Sequence, residues 1–378
     1  MKNIYVGVND KSIDLFEGMY RVPNGISYNS YIIRDEKSAV FDTVDEKFGG
    51  EWLDNVSAAL DGRNPDYLII LHMEPDHSAN IFRFMEKYPD TCIVGNSKTF
   101  VLIKEFFGDF AFNRLEVKDG DTLSLGSRSL TFVFAPMVHW PEVMTVYDGE
   151  DKALYSADAF GKFGSLDTEE EWEEQARRYY YGIVGKFGNA VQGLFKKLSA
   201  YDIQKIYPLH GPALTENVGY YMNKYDLWSR YAFESDGVFI AYNSVYGHTR
   251  KAVELLAKLL KENGTEVIAR DLARDDWAQC VADAFKYRNT VIAATTYNGD
   301  VFPAVREFID RLKERNFRNR RVGIIENGGW APFAAKAIQK RLEDCKDIEY
   351  CPTQVTLHAA LDGQSSSALK ALADELKG

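Results

Sequence analysis

The sequence predicts two α/β domains in series, a sheet-rich mixed α/β frame over residues 1–235 and a doubly wound parallel sheet over residues 236–378. Three observations carry that reading. The chain has 378 residues, enough for two cores at about 100–200 residues per domain. Its texture changes near Ser235–Asp236. Its composition, 46% hydrophobic and 27% charged, is that of a globular protein and excludes disordered, collagenous and fibrous classes.

Before the change, apolar or alternating runs at Ser30–Arg34, Ala39–Asp42, Tyr67–His72 and Leu130–Phe134 read as strands set between turn residues and helical stretches. After it, strands at Val238–Tyr242, Val291–Ala294 and Val322–Ile325 alternate with amphipathic helices at Thr249–Glu262, Pro303–Arg315 and Pro332–Glu343. Such alternation predicts a parallel sheet covered on both faces. No internal repeat or low-complexity segment interrupts it. The net charge of −11 argues against a large nucleic-acid-binding face. No run approaches the ~18 apolar residues of a membrane span. The N-terminal MKNIYVGVND lacks a secretory pattern, so the expected compartment is the cytoplasm. Cys92, Cys280, Cys345 and Cys351 are scattered and form no C-x-x-C pair, which excludes a built-in rubredoxin-type or zinc-ribbon module.

The histidines are more informative. Leu71–Asn80 reads LHMEPDHSAN directly after an apolar strand and supplies His72, Glu74, Asp76 and His77. If the strand stops at His72, alternate positions 72, 74 and 76 project together from a turn while His77 opens the next helix, and two metals could share one loop. Three later positions also follow apolar strands: His139 in APMVHWPEVM, Asp158 in ALYSADAFG and His210 in KIYPLHGP. Singly, His139 could stack on Trp140, Asp158 could cap a turn, and His210 could be a loop residue. Together the seven make a set of four histidines and three carboxylates that suits two metals bridged by one carboxylate.

The order H-x-E-x-D-H, His, Asp, His, with Phe41-Asp42-Thr43 upstream, resembles the metallo-β-lactamase fold, and the resemblance implies an αββα N-terminal domain. Hydrolases of that fold usually carry histidine where this chain has Glu74. A carboxylate there hardens the site and adds negative charge, which suits iron cycling between its two common oxidation states better than zinc. In this departure the chain resembles the flavodiiron proteins. Carried over by position, one iron takes His72, Glu74 and His139, the other takes Asp76, His77 and His210, and Asp158 bridges them. No catalytic residue beyond these ligands is implied.

In the second half, the strand Val238–Tyr242 leads through Ser244, Val245, Tyr246, Gly247, His248 and Thr249 into a helix. Backbone N–H groups and hydroxyls at such a helix start can converge on a phosphate without a lysine. The alternative for this loop alone is an ordinary turn capped by Thr249. Two further strand ends match it: Thr296, Tyr297, Asn298 and Gly299, then Asn327, Gly328, Gly329, Trp330 and Ala331. Three loops meeting at the carboxyl edge of a doubly wound sheet resemble flavodoxin, which implies bound FMN with Tyr297 and Trp330 flanking the ring. His248 reads equally as a phosphate donor or a solvated helix-start residue, and His358 lies outside every motif.

The flavodiiron resemblance spans essentially the whole chain in the family's domain order. It implies reduction of dioxygen to water, or of nitric oxide to nitrous oxide. Two irons and a two-electron flavin together hold the four electrons that water formation requires. It also implies a head-to-tail homodimer, or a dimer of dimers, in which each FMN lies near the partner's irons. A separate electron donor is implied too, such as rubredoxin or a reduced deazaflavin. The rival readings are a dinuclear metallo-hydrolase and a plain FMN electron carrier. Two charge runs complete the inventory. Asp167–Glu174 reads as a solvated helix start, and Arg311–Arg321 reads as a solvated helix end or as a patch steering an acidic donor.

Overall fold

The computed structural model describes residues 3–377. The chain divides after Asp226 into two compact units, within the helix Val218–Ser229, whereas the sequence texture changes only where the strand Ser235–Tyr242 begins.

The first unit is built on two large sheets, with two small two-stranded ones beside them, Val8–Asp10 with Ile26–Tyr28 and Leu15–Phe16 with Tyr20–Arg21. One large sheet runs in the order Asn3–Tyr5, Tyr31–Arg34, Ser38–Phe41, Tyr67–Ile69, Cys92–Gly95, Asn113–Glu116; the other runs Thr122–Ser124, Ser129–Phe134, Met144–Asp148, Ala153–Tyr155, Lys205–Tyr207. Aromatic rings lock the two sheets together: Phe41 stacks on Tyr155 at 4.0 Å between centroids, and Tyr31 meets Tyr207 at 5.2 Å. The helix Gly49–Leu60 lies against the first sheet and buries Trp52, Leu53, Val56 and Leu60, one stripe at helical spacing. On the second sheet the helix Gly188–Leu198 does the same with Val191, Leu194 and Leu198. This is the metallo-β-lactamase-like arrangement, and it leaves the loops after the strands free to carry chemistry.

The second unit has one six-stranded sheet: five parallel strands in the order Val267–Asp271, Ser235–Tyr242, Tyr287–Tyr297, Arg320–Asn327, Ile348–Leu357, with the short strand Asp300–Val301 paired antiparallel to Tyr287–Tyr297. That order is flavodoxin-like. Val238, Ile240, Val291, Ile325 and Val355 from the strands pack with Leu256, Leu260, Leu369 and Leu372 from helices.

Several boundaries differ from the sequence reading for physical reasons. The strand expected to reach His72 ends at Ile69, because the Asp42 carboxylate accepts from the backbone N–H of Leu71 (2.8 Å) and His72 (3.2 Å) and takes them out of the ladder. His77 does not open a helix but sits inside the short helix Pro75–Ser78. The helix expected from Pro332 starts at Ala334, where the Thr296 Oγ1 accepts from Phe333 N (2.9 Å) and Ala334 N (3.2 Å). Thr249 does not cap the helix His248–Glu262; Ser244 Oγ accepts from Gly247 N (3.1 Å) and Arg250 N (3.2 Å) instead. The basic run is not a free patch: Arg320 is buried and donates to the carbonyls of Tyr231, Ala284 and Phe285, and Arg315 is buried too.

Candidate metal centre

Four loops at the carboxyl ends of strands in the first unit bring the seven sequence-predicted side chains together. The 71–78 loop is stapled from its neighbours. Asp42 holds its start, Ser78 Oγ donates to Met73 O (2.8 Å), and Thr43 Oγ1 donates to His77 O (2.9 Å). Glu142 accepts from Met73 N (2.9 Å) and from His72 Nδ1 (2.8 Å), leaving His72 Nε2 to face the cluster. At the last loop His210 Nδ1 donates to the carbonyl of Ser27 (2.7 Å), which aims its Nε2 inward in the same way.

The donor atoms fall into two groups, one of His72, Glu74, His139 and Asp158, the other of Asp76, His77 and His210. In the first, His139 Nε2 lies 3.1 Å from Glu74 Oε2 and 3.1 Å from Asp158 Oδ2, and His72 Nε2 lies 3.2 Å and 3.5 Å from the same two atoms. In the second, His77 Nε2 is 3.3 Å and His210 Nε2 3.4 Å from Asp76 Oδ2, and the two Nε2 atoms are 3.1 Å apart. Asp158 spans both groups: Oδ2 faces the first, while Oδ1 lies 3.2 Å from His77 Nε2 and 3.7 Å from His210 Nε2. Donors about 2.1 Å from one ion stand about 3.0–3.4 Å apart at octahedral to tetrahedral angles. The observed separations therefore fit metal coordination better than a hydrogen-bond network, which two Nε2 atoms facing each other cannot complete symmetrically.

Electrostatics agree. Burial opposes charging His139, but hydrogen bonds to Asp158 and Glu74 overcome it and raise the imidazole to about 9. Burial likewise opposes charging His72, and Asp158, Glu142 and Glu74 hold it well above the usual imidazole range. Burial works against ionised Glu74, yet hydrogen bonds from His139 and His72 hold it far below the usual carboxylate range. Asp158 is depressed against its own burial by the charges of His72 and His77. The metal-free cluster thus binds protons where a cation would sit. Both Asp76 oxygens and Asp158 Oδ1 are buried without hydrogen-bond partners, a costly state that a cation between them would remove.

Three neighbours escaped the sequence reading, and Asp42, named there only within the upstream Phe41-Asp42-Thr43, gains a role. Asp42 and Glu142 act on backbone and imidazole from other loops; the only signal for Glu142 is its place three residues after His139. Tyr179 is fully buried with its ring 5.5 Å from that of His210, and its hydroxyl has no hydrogen-bond partner among the described residues. Glu17, in the turn between strands Leu15–Phe16 and Tyr20–Arg21, is exposed as a residue but hydrogen-bonds Glu74, and desolvation with the charge of Glu74 pushes its carboxyl up to about 7.

In the second unit the three predicted loops lie at the carboxyl edge of the parallel sheet, after Tyr242, Tyr297 and Asn327. Gly247 sits at φ +90° and Gly299 at φ +73° with open space beside each, so the backbone there can approach a ligand. Gly328 is different, since a Cβ there would meet Pro332 at 2.8 Å. Trp330 and Tyr246 are 97% and 90% exposed. Val245 and Tyr297 are also exposed. Thr249 is buried and Asn327 Nδ2 donates to its Oγ1 (3.3 Å), tying the first loop to the third. Thr296 Oγ1 accepts from the helix start, and the residue pairs with Val301 in the strand. Asn298, Gly329 and Ala331 lie in the same loops, and His248 is the first residue of the helix His248–Glu262; His358 forms an isolated bridge with Ala360.

The fold and the two sites define a protein that joins a metallo-β-lactamase-type unit to a flavodoxin-type unit. Comparison with known proteins agrees. The profile of the ODP family beta lactamase matches residues 26–211, and that of the flavodoxin domain matches residues 239–356. The anaerobic nitric oxide reductase flavorubredoxin of Klebsiella pneumoniae is 30% identical over 354 residues, 90% of this chain and 73% of the relative. Among solved structures, the rubredoxin oxygen:oxidoreductase of Desulfovibrio gigas superposes with a TM-score of 0.91 at 25% identity, covering 99% of this chain and 96% of that one. The flavodiiron protein of Giardia intestinalis gives 0.92 at 26% identity, covering 99% and 94%. The chain belongs to the flavodiiron protein family and is an oxidoreductase. Its cofactors are FMN, in keeping with the flavodoxin domain, and a diiron centre, for which the His/Asp/Glu cluster has the fitting donor set. Among the described residues no helix is long and apolar enough to cross a membrane.

Proposed function

We propose that the chain reduces dioxygen to water at two irons, with electrons delivered through FMN. The observation that carries this is the grouping of seven buried or half-buried donors into two sets, each with two imidazoles and one carboxylate of its own, around an Asp158 that faces both. His72, Glu74 and His139 would hold one iron, Asp76, His77 and His210 the other, and Asp158 would bridge. A bound iron pair supplies one-electron redox steps and two adjacent attachment points for a diatomic molecule, and FMN stores two electrons.

The protein's own residues supply the setting. Glu142 and Ser27 fix the tautomers and directions of His72 and His210. Phe16, Tyr28 and Tyr179 pack around the His210 ring, with centroids 5.4, 6.0 and 5.5 Å away, and exclude water from that side. In the second unit, backbone from Ser244 to Thr249 would take the FMN phosphate at the helix start. Tyr297 and Trp330 would flank the ring, with the Thr296–Gly299 and Asn327–Ala331 backbones along its polar edge. Rubredoxin, or in its place a reduced deazaflavin, would supply electrons. The exposed Tyr246 and Trp330 support a head-to-tail homodimer or dimer of dimers.

A second reading, reduction of nitric oxide to nitrous oxide at the same residues, is favoured by the activity named for the curated relatives. The test of the site is His139→Ala with FMN retained. Loss of gas reduction together with one iron supports the assignment, whereas undiminished activity would return the plain electron-carrier reading, and a zinc-loaded native protein the hydrolase reading.

A further inference from the structure

The two donor groups match in their own ligands but not in what stands behind them. Each contributes two Nε2 atoms and one carboxylate, and each faces one oxygen of Asp158. Behind His72, the Nδ1–H donates to Glu142 Oε1 at 2.8 Å, and the Glu142 side chain is fully buried. Behind His210, the Nδ1–H donates to a neutral carbonyl, that of Ser27, at 2.7 Å. Behind His77, the Nδ1 is buried and has no hydrogen-bond partner among the described residues. One ionised carboxylate therefore backs the first group, and no ionised group hydrogen-bonds the second group's imidazoles at Nδ1.

An imidazole that donates to a carboxylate is a more basic ligand than one that donates to an amide carbonyl, and a more basic ligand favours the higher oxidation state of its metal. We infer that Glu142 makes the two irons inequivalent, so that the iron held by His72, Glu74 and His139 has the lower reduction potential. The inference rests on the ligand assignment proposed above. One electron from a chemical reductant such as dithionite then reduces the iron at Asp76, His77 and His210, leaving the His72 side ferric, and a second electron reduces the His72 side. Glu142 touches neither iron nor substrate and acts as a positioning residue through His72.

The test is Glu142→Gln. Glutamine keeps an oxygen to accept from both His72 Nδ1 and Met73 N but removes the charge. The iron- and FMN-loaded protein would be titrated with dithionite, following the diiron centre by electron paramagnetic resonance and by Mössbauer spectroscopy of the 57Fe form. The wild type is expected to show two separate steps with a mixed-valence state accumulating between them. In E142Q the lower step should rise toward the upper one and the comproportionation constant should fall about tenfold, which for one electron is ~59 mV. Glu142→Asp retains the charge and is expected to keep the two steps apart. A Gln variant with two irons and unchanged steps, or movement of the upper step alone, would overturn the inference, as would an Asp variant whose steps merge like those of Gln. Failure of the ligand assignment itself appears separately, as fewer than two irons per chain in the wild type.

Discussion

Asp158 is almost fully buried and offers one oxygen to each half of the cluster, so it is the residue whose removal distinguishes a two-metal site from two independent ones. Asp158→Ala is expected to leave one iron per chain or none, measured by metal analysis, whereas independent sites would each keep their ion. The proton balance gives a second prediction at this scale. His139 in the metal-free fold titrates near 9 against a usual value of 6.5. A group raised on folding contributes stability that is complete below the unfolded value and is lost as pH rises through the folded one. The melting temperature of metal-free protein should therefore fall between about pH 6.5 and 9, with that of the iron-loaded form falling less. Iron must displace those protons, so iron uptake should release protons into the buffer and weaken as pH falls. The seven donor side chains that the fold gathers stood out in the sequence because they cluster there or follow strands. Glu142, Glu17 and the role of Asp42 did not, because their partners lie far off in sequence and only the fold makes them neighbours.

At the scale of elements, side chains set where one strand stops and two helices start. Asp42 does this before His72, and Ser244 and Thr296 do the equivalent at two helix starts. These three residues shape the loops that carry function. Ser244→Ala and Thr296→Ala should each destabilise the second unit by about 1 kcal/mol, as lost helix caps do. They should also weaken FMN binding, read as a rise in the flavin dissociation constant by fluorescence, while iron content stays unchanged. Strand and helix types in both halves follow the periodicities in the sequence. The shifted ends do not, since no local pattern announces that Thr296 will accept from Phe333 or that the buried Arg320 will spend its guanidinium on six backbone carbonyls.

For the whole molecule, the proposed cofactor sites draw on separate sets of residues, the donor cluster before Asp226 and the loops proposed to hold the flavin after it. Chelation should thus remove iron without bleaching the bound flavin, and added FMN should raise the thermal stability of the second unit alone, by about 2.7 kcal/mol at a hundredfold excess over its dissociation constant. The change in pattern near Ser235 announced two α/β units, nine residues after the division the structure shows, whereas the fold type of the first came only from the resemblance carried by its histidines and carboxylates. The measurement that bears most directly on the central claim is gas consumption by the anaerobically reduced protein carrying iron and FMN, with dioxygen and nitric oxide supplied separately and peroxide assayed. Rapid dioxygen loss without peroxide, and slower loss of nitric oxide, is the predicted result; no consumption of either gas by protein holding two irons and FMN would contradict it.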